Sequence, residues 1–270
     1  RHSPAIANDV LPETLYLIPI PHRPFFPGQV QPVAINPNEW ASTLEAVAAE
    51  GHGLLGLSYV DQHTADNIDR RQFPDIGCVV RLHRPPGVDS AGHFLAQGVK
   101  RFRIVRWLTD TAPYRVQVEY PRSQGDSDSD EIKAYGMALI KEIKELLPLN
   151  PLYSEELKQY LANFNPNQPS LLADFSAALT TAKGDQLQEI LDTLPLLARM
   201  EKVLVLLRRE REVAELQGQI SSQVNEKVSE QQRQFFLREQ LKVIQKELGI
   251  SKDDRSTDIE LFEERMAALQ

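Results

Sequence analysis

Six histidines, His2, His22, His52, His63, His83 and His93, and one cysteine, Cys78, are the side chains best suited to hold a transition metal, but they are scattered along the chain. No H-E-x-x-H pair and no Cys/His cluster occurs, and a single thiol cannot anchor a structural zinc. Acyl transfer needs a serine with a base and an oxyanion hole, and neither G-x-S-x-G nor S-x-x-K is present. The G-x-x-x-x-G-K-[ST] phosphate loop is missing as well, so a backbone cradle for a nucleotide phosphate is not expected. Acidic runs at Asp126–Glu131 and Glu263-Glu264 read as solvated surface rather than paired catalytic carboxylates. The residues therefore predict no catalytic site, no metal and no cofactor.

Two other patterns could bind a partner. Lys100-Arg101-Phe102-Arg103-Ile104-Val105-Arg106-Trp107 interleaves cations with aromatics, as single-strand nucleic-acid binders do. Alternation along a strand places Phe102 and Ile104 on one face and Arg101 and Arg103 on the other, so an ordinary half-buried strand also explains it. Pro24-Phe25-Phe26-Pro27 is the second pattern. Its aromatics either plug one end of a barrel or form an exposed apolar patch for a partner. Because Pro21, Pro24 and Pro27 deprive the segment of ladder donors, at least one of Phe25 and Phe26 is expected to be exposed.

The elements that must position these residues fall into three regions. From Leu15 to Tyr120 the signal is mostly strand: Leu15–Ile20, Val33–Ile35, Leu54–Leu57, Cys78–Leu82, Phe102–Val105 and Tyr114–Val118 are short apolar or alternating runs bounded by Pro, Gly, Asn and Asp. One helix interrupts them, with Asn36 as cap, Pro37 at the first helical position and Trp40, Leu44, Val47 and Ala48 on one face before Gly51. The segment Pro19–Pro32 is expected at a sheet edge or in a surface loop.

Residues 121–131, PRSQGDSDSDE, have the composition of a solvated linker. Beyond it the period becomes helical at Ile132, Tyr135, Leu139, Ile143 and Leu146, then at Leu157, Tyr160, Leu161 and Phe164 after Ser154. A further helix opens at Pro169 and carries Leu172, Phe175 and Leu179 as far as Gly184, and another, capped by Asp185, carries Leu187, Ile190, Leu191 and Leu194 up to Pro195. Leu196–Leu248 then runs without proline and predicts one helix of about 80 Å at ~1.5 Å per residue. Between Gln217 and Gln234 its apolar stripe is one residue wide, which suits a projecting arm or a coiled-coil partner. Gly218 and Ser221-Ser222 are the weak points for a bend.

Charge follows the same division. Residues 1–120 hold 11 Lys+Arg against 12 Asp+Glu, and residues 121–270 hold 19 against 26, so the net −8 splits into −1 and −7. That balance argues against a general phosphate-binding surface. No apolar stretch approaches the roughly 20 residues of a membrane span, and a lone cysteine in the apolar run Ile76–Val80 suits a reducing compartment. A cytoplasmic, non-membrane protein is expected, and a chain opening at Arg1 reads as trimmed.

Leu15–Ile20 followed by Arg23-Pro24-Phe25-Phe26-Pro27-Gly28 resembles the opening of Lon-type ATP-dependent proteases, where a first strand runs into an F-P-G turn. Asp75–Val80 and Ala96–Ile104 are similar to the family's I-G-x-x-A/V and E-G-x-x-R-x-R-I segments, with Gln97 where the family has Glu. Gln232–Gly249 resembles its Q-R-E-Y/F-Y/F-L-R-E-Q-L-K-x-I-Q-K-E-L-G stretch. The resemblance covers nearly the whole chain and implies an α+β fold: a small pseudo-barrel substrate-binding domain with an inserted helix (1–125), a helical subdomain (126–195), a long helix (196–250) and a linker (251–270). The family's AAA+ ATPase module and serine-lysine peptidase would follow, and the chain stops at Gln270 before any phosphate loop.

By that resemblance the chain is a non-catalytic recognition and tethering region. Its expected partners are unfolded or degron-bearing proteins and further Lon subunits in a hexamer. Pro24, Phe25, Phe26 and Pro27 are the candidate substrate contacts, and Ile220, Val224, Val228, Phe235, Phe236, Leu237 and Leu241 the candidate oligomerisation residues. A nucleic-acid module using Lys100–Trp107 and a helical oligomerisation scaffold remain the alternatives.

Overall fold

The computed structural model describes residues 11–61, 68–83, 93–122, 129–149 and 168–247. Six strands make one sheet: β1 Thr14–Ile20, β2 Val30–Ala34, β3 Leu54–Tyr59, β4 Ile76–His83, β5 His93–Trp107 and β6 Tyr114–Glu119, with helix α1, Pro37–Glu50, between β2 and β3. Their order is β2-β5-β4-β3-β1-β6, and β6 pairs back with β5, so five strands close into a ring with β2 appended at its edge. β1 and β3 are parallel, Leu17 facing Gly56; the crossover such a pair requires is supplied by β2 and α1.

Strand β5 makes closure possible. Its 15 residues pair with β2 near His93–Gln97, with β4 from Leu95 to Arg103, and with β6 from Arg103 to Trp107. Irregular registers between Val79 and Val80 and between Ile104 and Arg106 bend the ladder where it changes partners. The sequence shows only the Phe102–Val105 part of this strand, because Gly98 interrupts the apolar pattern. That glycine is required: the turn after β1 lies on it, Gly28 N donates to Gly98 O at 2.9 Å, and a Cβ at 98 would sit 2.1 Å from Phe26 O. Gly28 itself has φ +79°, a conformation in which side chains are strained.

Among the described residues four α-helices follow: α2 Asp130–Leu146, α3 Pro169–Leu179, α4 Gly184–Asp192 and α5 Leu196–Glu247. Ser129 caps α2, its hydroxyl accepting from Ile132 N at 3.3 Å, so this helix starts inside the stretch expected to be a linker. α3 stops at Leu179, short of Gly184, and Asp185 lies in the first turn of α4 rather than at its cap. The helix expected after Ser154 falls outside the described residues. α5 passes through Gly218 and Ser221-Ser222 as one continuous helix.

Two apolar cores result. One fills the ring and includes Leu17, Ile18, Leu55, Leu57, Val79, Val80 and Phe102; the other joins α2, α3, α4 and the first turns of α5 through Leu139, Ile143, Leu172, Leu187, Ile190, Met200 and Leu207. Both belong to a single compact unit, residues 1–214, and a second unit comprises residues 215–270.

Candidate functional site

Phe25 and Phe26 are each 1% exposed, and Pro24 and Pro27 are buried too. The expectation of an exposed aromatic is therefore corrected. The prolines do keep this segment out of the ladder, but α3 lies where solvent was expected. Phe25 enters the core of the ring, and Phe26, the adjacent residue, enters the helical core beside Ile76. Arg23 extends the joint: its guanidinium donates to Ala178 O at 3.0 Å and Thr180 O at 2.8 Å, satisfying carbonyls at the end of α3.

One cation of the basic strand, Arg101, belongs to the same joint. Arg101, 5% exposed, donates to both carboxylate oxygens of Asp174 at 2.6 and 2.7 Å and to Leu191 O at 2.9 Å. Arg199, fully buried, lies 3.5 Å from the same carboxylate and donates to Ser170 Oγ at 2.6 Å. Burial pulls Arg199 down to about 10, while Asp174 acts in the opposite direction. Gln188 completes the joint by donating to Ile76 O at 2.9 Å and Asp192 Oδ1 at 2.7 Å. Arg103 pairs with Glu119 at 2.8 Å, and Phe102 is buried inside the ring. Two of the four cations of this strand are thus paired and Phe102 is buried, which shortens the row of free cations and stacking aromatics that single-strand binding requires.

Gly51-His52-Gly53-Leu54-Leu55-Gly56 does have the G-x-G-x-x-G spacing. It runs from helix α1 into strand β3, whereas a dinucleotide fingerprint runs from strand into helix so that its amides meet the pyrophosphate. Among the described residues no group of three His, Cys, Asp or Glu could hold a metal. Burial pushes the Cys78 thiol up, which leaves it protonated and unreactive.

Among the open apolar surfaces of the described residues, two bear on binding. The first is a cleft of about 200 Å³ at one end of the ring, lined by Pro19, Ile20, Pro21, Ile35, Trp40, Val60 and Ile68, with Asn36, Glu39 and Asp61 also in its wall. The second lies on α5: Ile220, Val224, Val228, Phe235, Phe236, Leu237 and Leu241, the residues expected to mediate oligomerisation, are between 45% and 67% exposed. Both surfaces offer exposed apolar area to a binding partner.

The sequence profile of the ATP-dependent protease La (LON) substrate-binding domain matches residues 14–209. The chain belongs to this Lon family. It is 45% identical over 264 residues to Lon protease 2 of Hydrogenovibrio crunogenus, covering 98% of this chain and 30% of that protein. Lon protease of Magnetococcus marinus is 40% identical over 272 residues, covering 98% and 33%. The chain thus spans about a third of the length of these relatives. The N-terminal domain of Mycobacterium avium complex Lon protease superposes with a TM-score of 0.57 at 19% identity, covering 72% of this chain and 98% of that one, so the fold is that of a Lon N-terminal domain.

Within the Lon fold, the first two motifs that carried the resemblance, around Phe25-Phe26 and Gly98–Ile104, prove to be architectural, whereas Gln232–Glu247 lies on the exposed part of α5. Phe25, Phe26, Gly28, Gly98 and Arg101 join ring to helices. Asp174 and Arg199, central to that joint, carried no signal in the sequence, since a charge on an amphipathic helix reads as solvated. No helix among the described residues is long and apolar enough to cross a membrane.

Proposed function

We propose that this chain is the polypeptide-capturing and tethering region of a Lon protease, holding unfolded or degron-bearing clients and helping subunits assemble into a hexamer. Capture and assembly are carried by separate surfaces, in the four-part division 1–125, 126–195, 196–250 and 251–270. The observation that carries the reading is a contrast in apolar placement: the compact unit buries most of its large apolar side chains, with scattered exceptions such as Val105 and Met137, while α5 from Leu216 to Ile244 leaves a whole series of them exposed. A contiguous apolar stripe of this kind marks a protein-interaction surface. Catalysis would belong to the ATPase and peptidase modules of the full-length protein, in a reducing cytoplasm compatible with the buried thiol of Cys78.

The test is a side-by-side binding measurement with a casein-like unfolded protein and a single-stranded oligonucleotide, at low and high salt. Client binding that survives salt is the expected result. Oligonucleotide binding that weakens steeply with salt, with no client binding, would replace this reading by the nucleic-acid one.

A further inference from the structure

We propose that Pro32 is a specificity-determining residue of client capture: it closes the open edge of β2 to an incoming extended strand, so that clients are held through their side chains and not by main-chain pairing. The inference rests on the client-capture reading and specifies the mode of holding.

The hydrogen bonds beside β2 fix which of its groups face outward. Among the described residues β2 pairs with β5 alone, Val30 opposite Gln97 and Ala34 opposite His93. Gly98 N donates to Gln29 O at 2.8 Å and Gly28 N donates to Gly98 O at 2.9 Å, so the backbone groups of Gly98 face the β2 side. Alternation turns those of Ala96 and Phe94 the same way, toward their partners Gln31 and Val33. On the far side of β5 the phase agrees: Leu82 N donates to Gly53 O at 2.9 Å, which leaves Arg81 and His83 to pair with Gln97 and Leu95. Val30, Pro32 and Ala34 therefore aim their backbone groups at the open side.

Without the proline that side would template a strand. Val30 and Pro32 share one face of the sheet with Leu95, the partner of Pro32, and all three are exposed. An open ladder beside exposed apolar area favours edge-to-edge addition. Three outward residues could exchange six bonds with an antiparallel newcomer. Pro32 holds the middle position, where it has no N–H to give and its ring stands in the path of the newcomer's carbonyl. The two donors that remain, Val30 and Ala34, are about 13 Å apart at ~3.4 Å per residue. The turn also pins the register. Gln29 Nε2 donates to Gln31 Oε1 at 2.8 Å and Gln29 Oε1 accepts from Phe26 N at 3.0 Å, so a slip that would turn Pro32 inward is opposed. Main-chain pairing would hold any β-prone segment of an unfolded client whatever its side chains. With Pro32 in place, holding depends on the side chains that distinguish one segment from another.

The experiment uses a fluorescent peptide of alternating Val and Thr with terminal lysines, and a copy N-methylated at its central residues so that its backbone cannot pair. Both are titrated against the chain and against Pro32→Val. The wild-type chain is expected to bind the two peptides equally weakly. Pro32→Val should bind the unmodified peptide about tenfold more tightly than the wild-type chain does, since a main-chain bond is restored and a steric block removed, and the methylated copy no better. Pro32→Val/Ala34→Pro moves the missing donor two residues along the same edge and should return the unmodified peptide to wild-type affinity, with the melting temperature retained. Pro32→Ala carries the same measurement should the first variant fail to fold. Self-association of Pro32→Val that the unmodified peptide reverses supports the inference, the second copy then acting as the added strand. A wild-type chain that prefers the unmodified peptide already accepts strands at its edge and overturns the inference. Equal affinity of wild type and variants for the unmodified peptide, or a gain shared by the methylated copy, overturns it as well. Absence of casein-like client binding by the wild-type chain overturns the capture reading, whereas the peptide titrations bear on Pro32 alone.

Discussion

The first turns of α5 and its continuation carry the same kind of spacing and meet opposite fates. Leu196, Met200, Val203, Leu204 and Leu207 are buried, while Leu216, Ile220, Val224 and Val228 on the same helix are exposed. The first stretch repeats apolar residues at three and four and the second at four alone, so the pattern gives the apolar face of a helix and its width but does not name what covers it. The cover for the first stretch is the core of α2, α3 and α4. A single helix thus serves as a core element at one end and as an interaction surface further along.

The largest effect should come from the charge buried under that cover. Asp174 is the carboxylate shared by Arg101 and Arg199. Asp174→Asn leaves two buried cations without a counter-charge and is expected to cost about 3–5 kcal/mol in urea unfolding. Arg101→Met leaves Asp174 paired with Arg199 and should cost less. Equal losses from the two variants would show that Arg199 does not share the carboxylate.

Phe26→Ala and Phe25→Ala should each cost ~3–5 kcal/mol, because each removes a fully buried ring. The milder Phe26→Leu and Phe25→Leu variants sharpen the comparison of the two cores. Hydrogen exchange should rise mainly across α2–α4 for Phe26→Leu and mainly across the strands for Phe25→Leu. Retained stability in either Ala variant would contradict the burial and return that residue to the list of exposed client contacts.

These effects explain what the sequence could and could not reveal. The α1 start was legible because Asn36-Pro37 acts locally; Glu39 N and Trp40 N both reach Asn36 O at 3.2 Å. The α5 span was legible because fifty proline-free residues constrain themselves. By contrast, the 15 residues of β5 were legible only in part, since Gly98 is demanded by Phe26, 72 positions away in sequence. The fate of Phe25 and Phe26 was hidden for the same reason: prolines report where a ladder ends, but the element covering them lies about 150 residues later. Arg101 and Asp174 are 73 residues apart, and neither charge announces a partner in its own neighbourhood.

A smaller effect is expected at high pH. Burial pushes the Tyr120 hydroxyl up to about 12 from an ordinary 10, and that hydroxyl donates to Pro12 O at 2.7 Å. A folded-state value raised above the unfolded one contributes stability that is fully present below pH 10 and is lost as pH rises toward 12. Tyr120→Phe should flatten the fall in melting temperature across that window. An unchanged alkaline slope would assign the loss to other groups.

The smallest effect on folding is also the one that most directly probes the comparison. Ile220→Ala/Val224→Ala/Val228→Ala removes three large side chains that are about half exposed, so little burial is lost, and alanine favours the helix by a few tenths of a kcal/mol per site. Unfolding of the compact unit should shift by no more than about 0.5 kcal/mol, against the ~2–5 kcal/mol expected for Leu207→Ala on the same helix. If the stripe mediates assembly, sedimentation of the full-length protein carrying the triple variant should show weaker self-association with unaltered folding. A loss of several kcal/mol from the triple variant would mean that these side chains are covered within the folded chain, and the distinction between the two ends of α5 would collapse. Unchanged folding together with unchanged assembly would keep the distinction and remove Ile220, Val224 and Val228 from the oligomer interface, leaving Phe235, Phe236, Leu237 and Leu241 as the next residues to replace.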